Sequence, residues 1–500
     1  MALLMGYDVG SSSIKATLMN AETGQVVSSA TSPKKEMEII AVQAGWAEQH
    51  PSVWWQHIVA ATQEIRQATG FDASDVKAIG ISYQMHGLVA VDKNQNVLRP
   101  SIIWCDSRAV EIGRAAGTAM GEETCLKNLL NLPGNFTASK LKWVKDNEPD
   151  VYRQIDKIML PGDYIAMKLT GTIKTTPSGL SEGILWDYQK QALADILMDH
   201  YGLDQSFIPE IVPTFADQGA LSKAAAEELG LQAGTTIAYR GGDQPNNALS
   251  LNVLEPGDVA ATAGTSGVVY GVSDKEDYDS KSRVNTFVHV NHSDQAARYG
   301  VLLCLNGTGI LNSWLKHNVV SDIDYPQMND LATQVPVGAE GVVMLPYGNG
   351  AERTLENRNI GSIFSGISFN THTQAHLLRA AQEGIVFALN YGLGIMQKTG
   401  VQVKNVRAGH ANMFLSPLFG EAFATVTGAT VELYNTDGSQ GAARGAGMGA
   451  GVYDSAKEAF VGLDCQKTIE PHAGSSAAYQ EAYGRWLEVL NAQLSSTPVT

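Results

Sequence analysis

Leu3-Leu4-Met5-Gly6-Tyr7-Asp8-Val9-Gly10-Ser11-Ser12-Ser13-Ile14-Lys15-Ala16-Thr17-Leu18-Met19 reads as two apolar strands joined by a turn of one glycine and three hydroxyls. The arrangement returns in the second half of the chain. There Val259-Ala260-Ala261-Thr262-Ala263-Gly264 leads through Thr265-Ser266-Gly267 into Val268-Val269-Tyr270-Gly271. Glycine lets a backbone turn tightly, and clustered hydroxyls and amides offer donors that suit phosphate oxygens. The repetition predicts two related domains, each carrying a phosphate turn, with a nucleotide gripped by both. Candidate nucleotide contacts are therefore Gly10, Ser11, Ser12, Ser13 and Lys15, with Gly264, Thr265, Ser266 and Gly267.

Outward from the first hairpin, Glu22 to Gln25 is a second turn and Val26 to Ala30 a third strand, which opens an antiparallel meander. Pro51 suits the first turn of a helix, along which Val53, Trp54, Ile58, Ala61 and Ile65 recur at helical spacing until Gly70. A strand is expected over 76–82, a bend at Tyr83-Gln84-Met85-His86-Gly87, and a strand over 88–91. Pro161 to Gly171 reads as a short helix with a glycine C-cap. Later come strands over 235–239, 259–263, 268–272 and 403–407, and helices over about 376–397 and 416–427. The stretch 438–451 alternates glycine and alanine, which fits a helix packed closely beside a ligand; a low-complexity linker is the other reading. Strands and helices mixed in both halves point to α/β layers, with ligands in a cleft between domains.

At 500 residues the chain exceeds what one hydrophobic core serves, so domains are expected over 1–247 and 248–500. With 44% hydrophobic and 17% charged residues it has a packed, globular composition. A net charge of −16 without clustered Lys and Arg argues against a nucleic-acid surface, while local hydroxyls and a metal would still allow a polyphosphate. Four scattered cysteines, Cys105, Cys125, Cys304 and Cys465, suggest a reducing compartment and neither zinc nor a disulfide framework. No apolar run approaches the ~20 residues of a membrane span, and Asp8 comes too soon for a signal peptide. A cytoplasmic protein with no membrane partner is the expectation, its oligomeric state open, with a homodimer among the options.

Two aspartates carry the expected chemistry. Asp8 sits near the end of a buried strand, where a carboxylate is costly unless it meets a cation or donors; a turn-capping role is the alternative. Asp243 follows the strand ending Tyr239-Arg240-Gly241-Gly242, where glycines allow close approach. Phosphoryl transfer to an alcohol needs an acceptor for the hydroxyl proton, which makes Asp243 the candidate base, against an ordinary Asx-turn. Met85 and His86, in the bend after a strand, put polar groups within reach of a small ligand, although a lone histidine is more often structural. Ile102-Ile103-Trp104-Cys105-Asp106-Ser107-Arg108 offers an aromatic plate and an acid/base pair, Trp104 and Asp106 being substrate candidates. The bland reading is a buried Trp beside a surface salt bridge.

DVGSSSIK, YQMHG, IIWCDSR, NFTASKLKWV, LPGDYIAMKLTG, GGDQ and ATAGTSG occur in the order found in the FGGY carbohydrate kinases, which the chain resembles over nearly its whole length. QMHG and WCDSR are similar to the xylulokinases within that family, whereas glycerol kinases carry an arginine-containing motif at the first point. The resemblance implies an α/β, two-domain, actin-like ATPase (ribonuclease H-like) fold with the active site in the interdomain cleft. It implies ATP and Mg2+ as cofactors, with Asp8 and Asp243 at the metal and Asp243 as proton acceptor. Met85, His86, Trp104, Asp106 and Gln244 would meet the sugar, and both hydroxyl turns would meet the phosphates. The expected reaction is phosphorylation of the 5-hydroxyl of D-xylulose; another sugar (ribulose, gluconate, fuculose) or a non-kinase ATPase or sensor is the alternative. Three positions depart from the family pattern. Asp243-Gln244-Pro245 replaces an Asp-Asn pair, Gly409-His410-Ala411-Asn412 replaces a Gly-Gly-Gly-Ala stretch at the adenine, and Gln382 stands where an apolar residue is common.

Overall fold

In the computed structural model, which describes residues 1–498, Leu3–Val9 pairs antiparallel with Ile14–Asn20, setting Asp8 opposite Lys15. Val26–Ser32 continues the meander beside Ile14–Asn20. On the other side Val76–Tyr83 lies parallel to Leu3–Val9, and Thr236–Gly242 lies parallel to Val76–Tyr83. The sheet order is thus third, second, first, fourth, fifth strand.

The second hairpin, Asp258–Ala263 with Gly267–Ser273, is extended the same way. Tyr299–Leu305 adds antiparallel outside Gly267–Ser273, while Asn405–Gly409 and then Thr430–Tyr434 add parallel beyond Asp258–Ala263. The order of these five strands is the same, and Cys465–Ile469 extends the far edge. The repetition seen in the turns is therefore a repetition of whole sheets, the arrangement of the actin-like ATPases. The expected strand 403–407 begins and ends two residues later than anticipated.

Each sheet has its own core. In the first, the helix Pro51–Thr69 buries Trp54, Trp55, Ile58, Ala61 and Ile65, and stops where Gly70 takes the left-handed conformation. Pro161–Thr170 ends on Gly171 in the same way. In the second, the helix Gln374–Lys398 is buried along nearly its whole length, flanked by Pro417–Thr427.

The alternating Gly/Ala stretch is a helix, Gly438–Gly449, and not a linker. It packs on the strands Leu3–Val9, Val76–Tyr83 and Thr236–Gly242, far behind it in sequence. A Cβ on Gly6 would strike the Ser439 carbonyl, and one on Gly80 would strike the Ala442 carbonyl. This packing changes the expected domains. The first unit comprises Met1–Asn252, Phe287–Arg298 and Thr436–Leu463; the second comprises Val253–Thr286, Tyr299–Asn435 and Asp464–Thr500. A single boundary at 247/248 separates the returning helix from the strands on which it packs.

Candidate active site

In the first unit, the turn after Leu3–Val9 closes through Gly10 N–H to the Ser13 carbonyl at 3.1 Å. Gln49 donates to the Ser11 carbonyl at 2.7 Å, Met37 N–H to the Ser12 carbonyl at 2.8 Å, and Trp104 Nε1 to Ser11 Oγ at 3.2 Å. Carbonyls held from outside leave the turn in one shape. Trp104 is 50% exposed, so its ring is an open plate beside this turn.

Asp8 accepts from Ser82 Oγ at 2.8 Å. Burial, and after it the Asp437 carboxylate, push its carboxyl above the usual range. Lys15, the cation acting on Asp8, is paired with Asp437 at 2.7 Å. Asp437 also caps the helix Gly438–Gly449 by accepting from Ser439 N–H and Gln440 N–H, and lies below the usual carboxylate range through its Lys15 and Ser439 partners despite burial. Gly438 has no side chain to press on Asp8 Oδ2.

Asp243 opens the helix Asp243–Ser250 at the end of the strand Thr236–Gly242. Its carboxyl is pushed up to about 7, first by burial and then by the charge of Asp8, so the two expected aspartates are brought into electrostatic contact. Gln244 N–H and its side chain hydrogen-bond Asp243, which puts the glutamine beside the expected base. Met85 is buried, and a Cβ on Gly242 would come within 2.6 Å of its Cγ. His86 adopts a left-handed backbone, φ 62°, and its Nδ1–H donates to the Glu182 carbonyl at 2.8 Å. Its ring meets Phe136 edge-on at 4.8 Å and Phe287 at 5.6 Å.

Asp106 behaves differently from expectation. Fully buried, it accepts from Ala47 N–H at 2.6 Å and from the Arg108 guanidinium at 2.7 to 3.0 Å. Protein donors occupy both oxygens, so Asp106 supports the site rather than presenting a carboxylate to it. The pattern is an exposed Trp beside a buried salt bridge, the reverse of the bland reading. Arg108 is sandwiched further by Trp46 at 3.8 Å and Trp143 at 4.7 Å.

Three contributors escaped the sequence reading. Lys140 is fully buried and donates to the main-chain carbonyls of His86 (2.7 Å) and Ile103 (3.0 Å), tying together the two segments expected at the sugar. Asp437 gives only the weak signal of an aspartate before a glycine run. Glu182, buried at the end of the helix Pro177–Glu182, stands close enough to Asp243 for their charges to interact.

The second unit holds the other turn. Thr308 Oγ1 donates to the carbonyls of Gly264 (2.8 Å) and Thr265 (3.1 Å), and Gly309 N–H also donates to Gly264. Ser266 Oγ reaches Asn306 Oδ1 at 3.5 Å, and Gly267 begins the following strand. Asn412, left-handed at φ 55°, lies beside this turn, its Nδ2 3.5 Å from where a Cβ on Gly264 would stand. Gly409 ends the strand Asn405–Gly409, and His410 N–H donates to the Tyr434 carbonyl. Two segments expected at the nucleotide, distant in sequence, are thus neighbours. Gln382 is buried and satisfied, donating to Asn329 at 2.9 Å and accepting from Ser416 at 2.8 Å.

Glu340, His372 and His376 also cluster in this unit. Ser368 N–H donates to His372 Nδ1 and Thr373 N–H to His376 Nδ1. These bonds place the ring protons on Nε2, and His376 Nε2 donates to Glu340 at 3.0 Å. The group is a hydrogen-bonded cluster in which these nitrogens offer no lone pair to a metal. Hard oxygens at Asp8 and Asp243, each pushed up by burial and by a neighbouring carboxylate, fit a divalent cation such as magnesium better.

Comparison with known proteins agrees with this arrangement. The FGGY family of carbohydrate kinases, N-terminal domain, matches residues 3–250, and the C-terminal domain of the same family matches residues 259–453. Xylulose kinase of Escherichia coli (strain K12) is 30% identical over 488 residues, 96% of each chain. The crystal structure of xylulose kinase from Rhodospirillum rubrum is similar with a TM-score of 0.88 at 25% identity over 99% of both chains. Gluconate kinase from Lactobacillus acidophilus shares the fold, with a TM-score of 0.89 at 21% identity over 99% of both chains. Matched by both of its domains, the chain belongs to the FGGY family of carbohydrate kinases.

Proposed function

We propose that the sugar phosphorylated by this carbohydrate kinase is D-xylulose, at its 5-hydroxyl, with ATP as donor and magnesium as the metal. The reading is supported by xylulose kinases matched along nearly the whole chain and by the QMHG and WCDSR segments meeting in one unit. The observation that carries it is Asp243. Its carboxyl, raised to about 7 on the N-terminal turn of a helix, is a base poised near the operating pH.

In this reading the sugar lies against Trp104, Met85 and His86, with Gln244 beside the base. Asp243 takes the proton from the 5-hydroxyl as that oxygen bonds the terminal phosphorus of ATP, while the bond from this phosphorus to the bridging oxygen breaks and ADP leaves with the electron pair. A magnesium ion held by Asp8 and Asp243 would neutralise charge on the phosphoryl oxygens. The Gly264–Gly267 turn, braced by Thr308, is proposed to hold the phosphates, with Gly10–Ser13 and Lys15 as further contacts. Gly409, His410 and Asn412 are proposed at the nucleotide base. Four free cysteines fit a cytoplasmic setting.

Replacing Asp243 by Ala should lower kcat for D-xylulose by about 1,000-fold or more while leaving the affinity for a non-hydrolysable ATP analogue within a few fold. Near-normal turnover in that variant removes Asp243 as the base. A coupled ADP-release assay over D-xylulose, D-ribulose, L-fuculose, gluconate and glycerol tests the sugar. Preference for anything but D-xylulose overturns that part of the reading.

A further inference from the structure

The helix Pro177–Glu182 delivers one acid to the interior of the first unit. Glu182 is 1% exposed, among the most deeply buried carboxylates of the molecule. Its Oε2 lies 2.5 Å from where a Cβ on Gly242 would stand, and Met85 Cγ lies 2.6 Å from the same point. Gly242 immediately precedes Asp243. The Glu182 main chain accepts from His86 Nδ1–H at 2.8 Å. One residue thus meets two segments expected around the sugar, the bend with Met85 and His86 and the glycine pair, and its charge reaches Asp243.

Glu182 shares a hydrogen bond with Tyr83, yet Oε1 is buried and makes no hydrogen bond among the described residues. A buried oxygen without a partner is costly and rare, and it calls for a reason such as an absent ligand. Charge supplies a second argument. Burial first, then the nearby Asp243 and Asp163, push the Glu182 carboxyl well above its usual range. Tyr83 opposes this through its hydrogen bond, and Lys140 is the buried cation whose charge also reaches Glu182. Burial thus favours the protonated form of Glu182, in which a carboxyl can both donate to and accept from a hydroxyl.

Resting on the sugar-kinase reading above, we propose that Glu182 is a substrate-binding, specificity-determining residue whose carboxyl group hydrogen-bonds a hydroxyl of the acceptor sugar next to the one Asp243 deprotonates. Asp243, Glu182 and Met85 fit a polyol with vicinal hydroxyls. One hydroxyl faces Asp243 and its neighbour meets Glu182, while Met85 covers the carbon chain between them. Glycine at 242 is what lets the carboxyl approach.

The test pairs enzyme variants with substrate variants. Wild type, Glu182→Gln and Glu182→Ala are assayed with D-xylulose and its 1-, 3- and 4-deoxy analogues, and binding of a non-hydrolysable ATP analogue is measured calorimetrically. Glu182→Ala should lower kcat/KM for D-xylulose on the order of 100-fold, mostly through KM, with nucleotide affinity unchanged. Glu182→Gln, which keeps a donor and an acceptor, should stay within roughly tenfold of wild type. One deoxy analogue should be poor for wild type yet cost Glu182→Ala nothing further, which identifies the hydroxyl contacted. Additive losses over every analogue in Glu182→Ala overturn the proposal and leave Glu182 a structural acid. Should Glu182→Ala fail to fold, the same cycle on Glu182→Met, which keeps the volume without the polar oxygens, decides. If wild type prefers another sugar in the panel, deoxy analogues of that sugar replace these, and the specificity reading fails alone. A wild type inactive with every sugar overturns the kinase reading and this proposal together.

Discussion

The most informative single residue is Asp243, because the proton affinity proposed to serve catalysis comes at the expense of stability. Its carboxyl is raised from 3.8 to about 7 in the folded chain. A carboxyl raised on folding contributes stability that is fully present below its unfolded value, and this is lost as pH rises through about 7. The window therefore runs from about pH 4 to 7, and at pH 8 the buried charge opposes folding. Asp243→Asn should consequently be more stable than wild type at pH 8 in magnesium-free buffer, by about 1–2 kcal/mol once partial solvent access is allowed for, and equal to it near pH 4. Thermal unfolding at the two pH values checks this, and a variant no more stable at pH 8 contradicts it. Asp243 could be found in the sequence because a glycine pair at a strand end announces a close approach. Glu182 could not, since SGLSEG reads as an ordinary turn and only the folded chain brings it beside Gly242. Asp106 erred in the opposite direction. Its motif names an acid and a base, but only packing shows that Arg108 and Ala47 consume the carboxylate.

Among the elements, the helix Gly438–Gly449 shows why composition alone was ambiguous. Alternating small residues fit a linker or a tightly packed helix, and what decides is the surface they meet. Strands Leu3–Val9 and Val76–Tyr83 present Gly6 and Gly80 to that helix, so both backbones approach without side chains between them. Neither glycine could be matched to the helix from the sequence, because the contact joins its two ends. A side chain at Gly80 must displace the main chain at Ala442, which has no flexible end to yield. Gly80→Val is expected to cost about 2–3 kcal/mol and to lower Tm by several degrees. Because Asp437 caps the same helix, the variant should also loosen the Lys15–Asp437 pair, seen as weaker protection of the first unit's amides in hydrogen exchange. An unchanged Tm shows that the helix can retreat from the sheet. Gln382 makes a similar point for the second unit. Its departure from an apolar residue is resolved by Ser416, the N-cap of Pro417–Thr427, which it holds from the buried side.

For the molecule as a whole, duplication of the sheet was legible because strand, hydroxyl turn and strand recur with the same punctuation. The return of 436–463 to the first unit was not, since nothing local marks it. Two units with separate cores also divide the proposed labour: Met85, His86, Trp104 and Asp243 belong to the first, and the Gly264–Gly267 turn, Gly409 and Asn412 belong to the second. Damage confined to the second unit should then weaken nucleotide binding and spare the sugar. Thr308 is suited to test this, because its hydroxyl hydrogen is shared by the Gly264 and Thr265 carbonyls and so sets the direction of the amides in that turn. Its side chain also fills the space left by the missing Cβ of Gly267. Thr308→Ala removes the brace but keeps the Gly309 N–H bond to Gly264, so the turn should persist in a looser form. We expect KM for ATP to rise roughly tenfold, the free energy of one hydrogen bond, while the rise in Tm given by D-xylulose stays as in wild type. An equal loss of sugar protection would mean that the two units do not divide binding in this way.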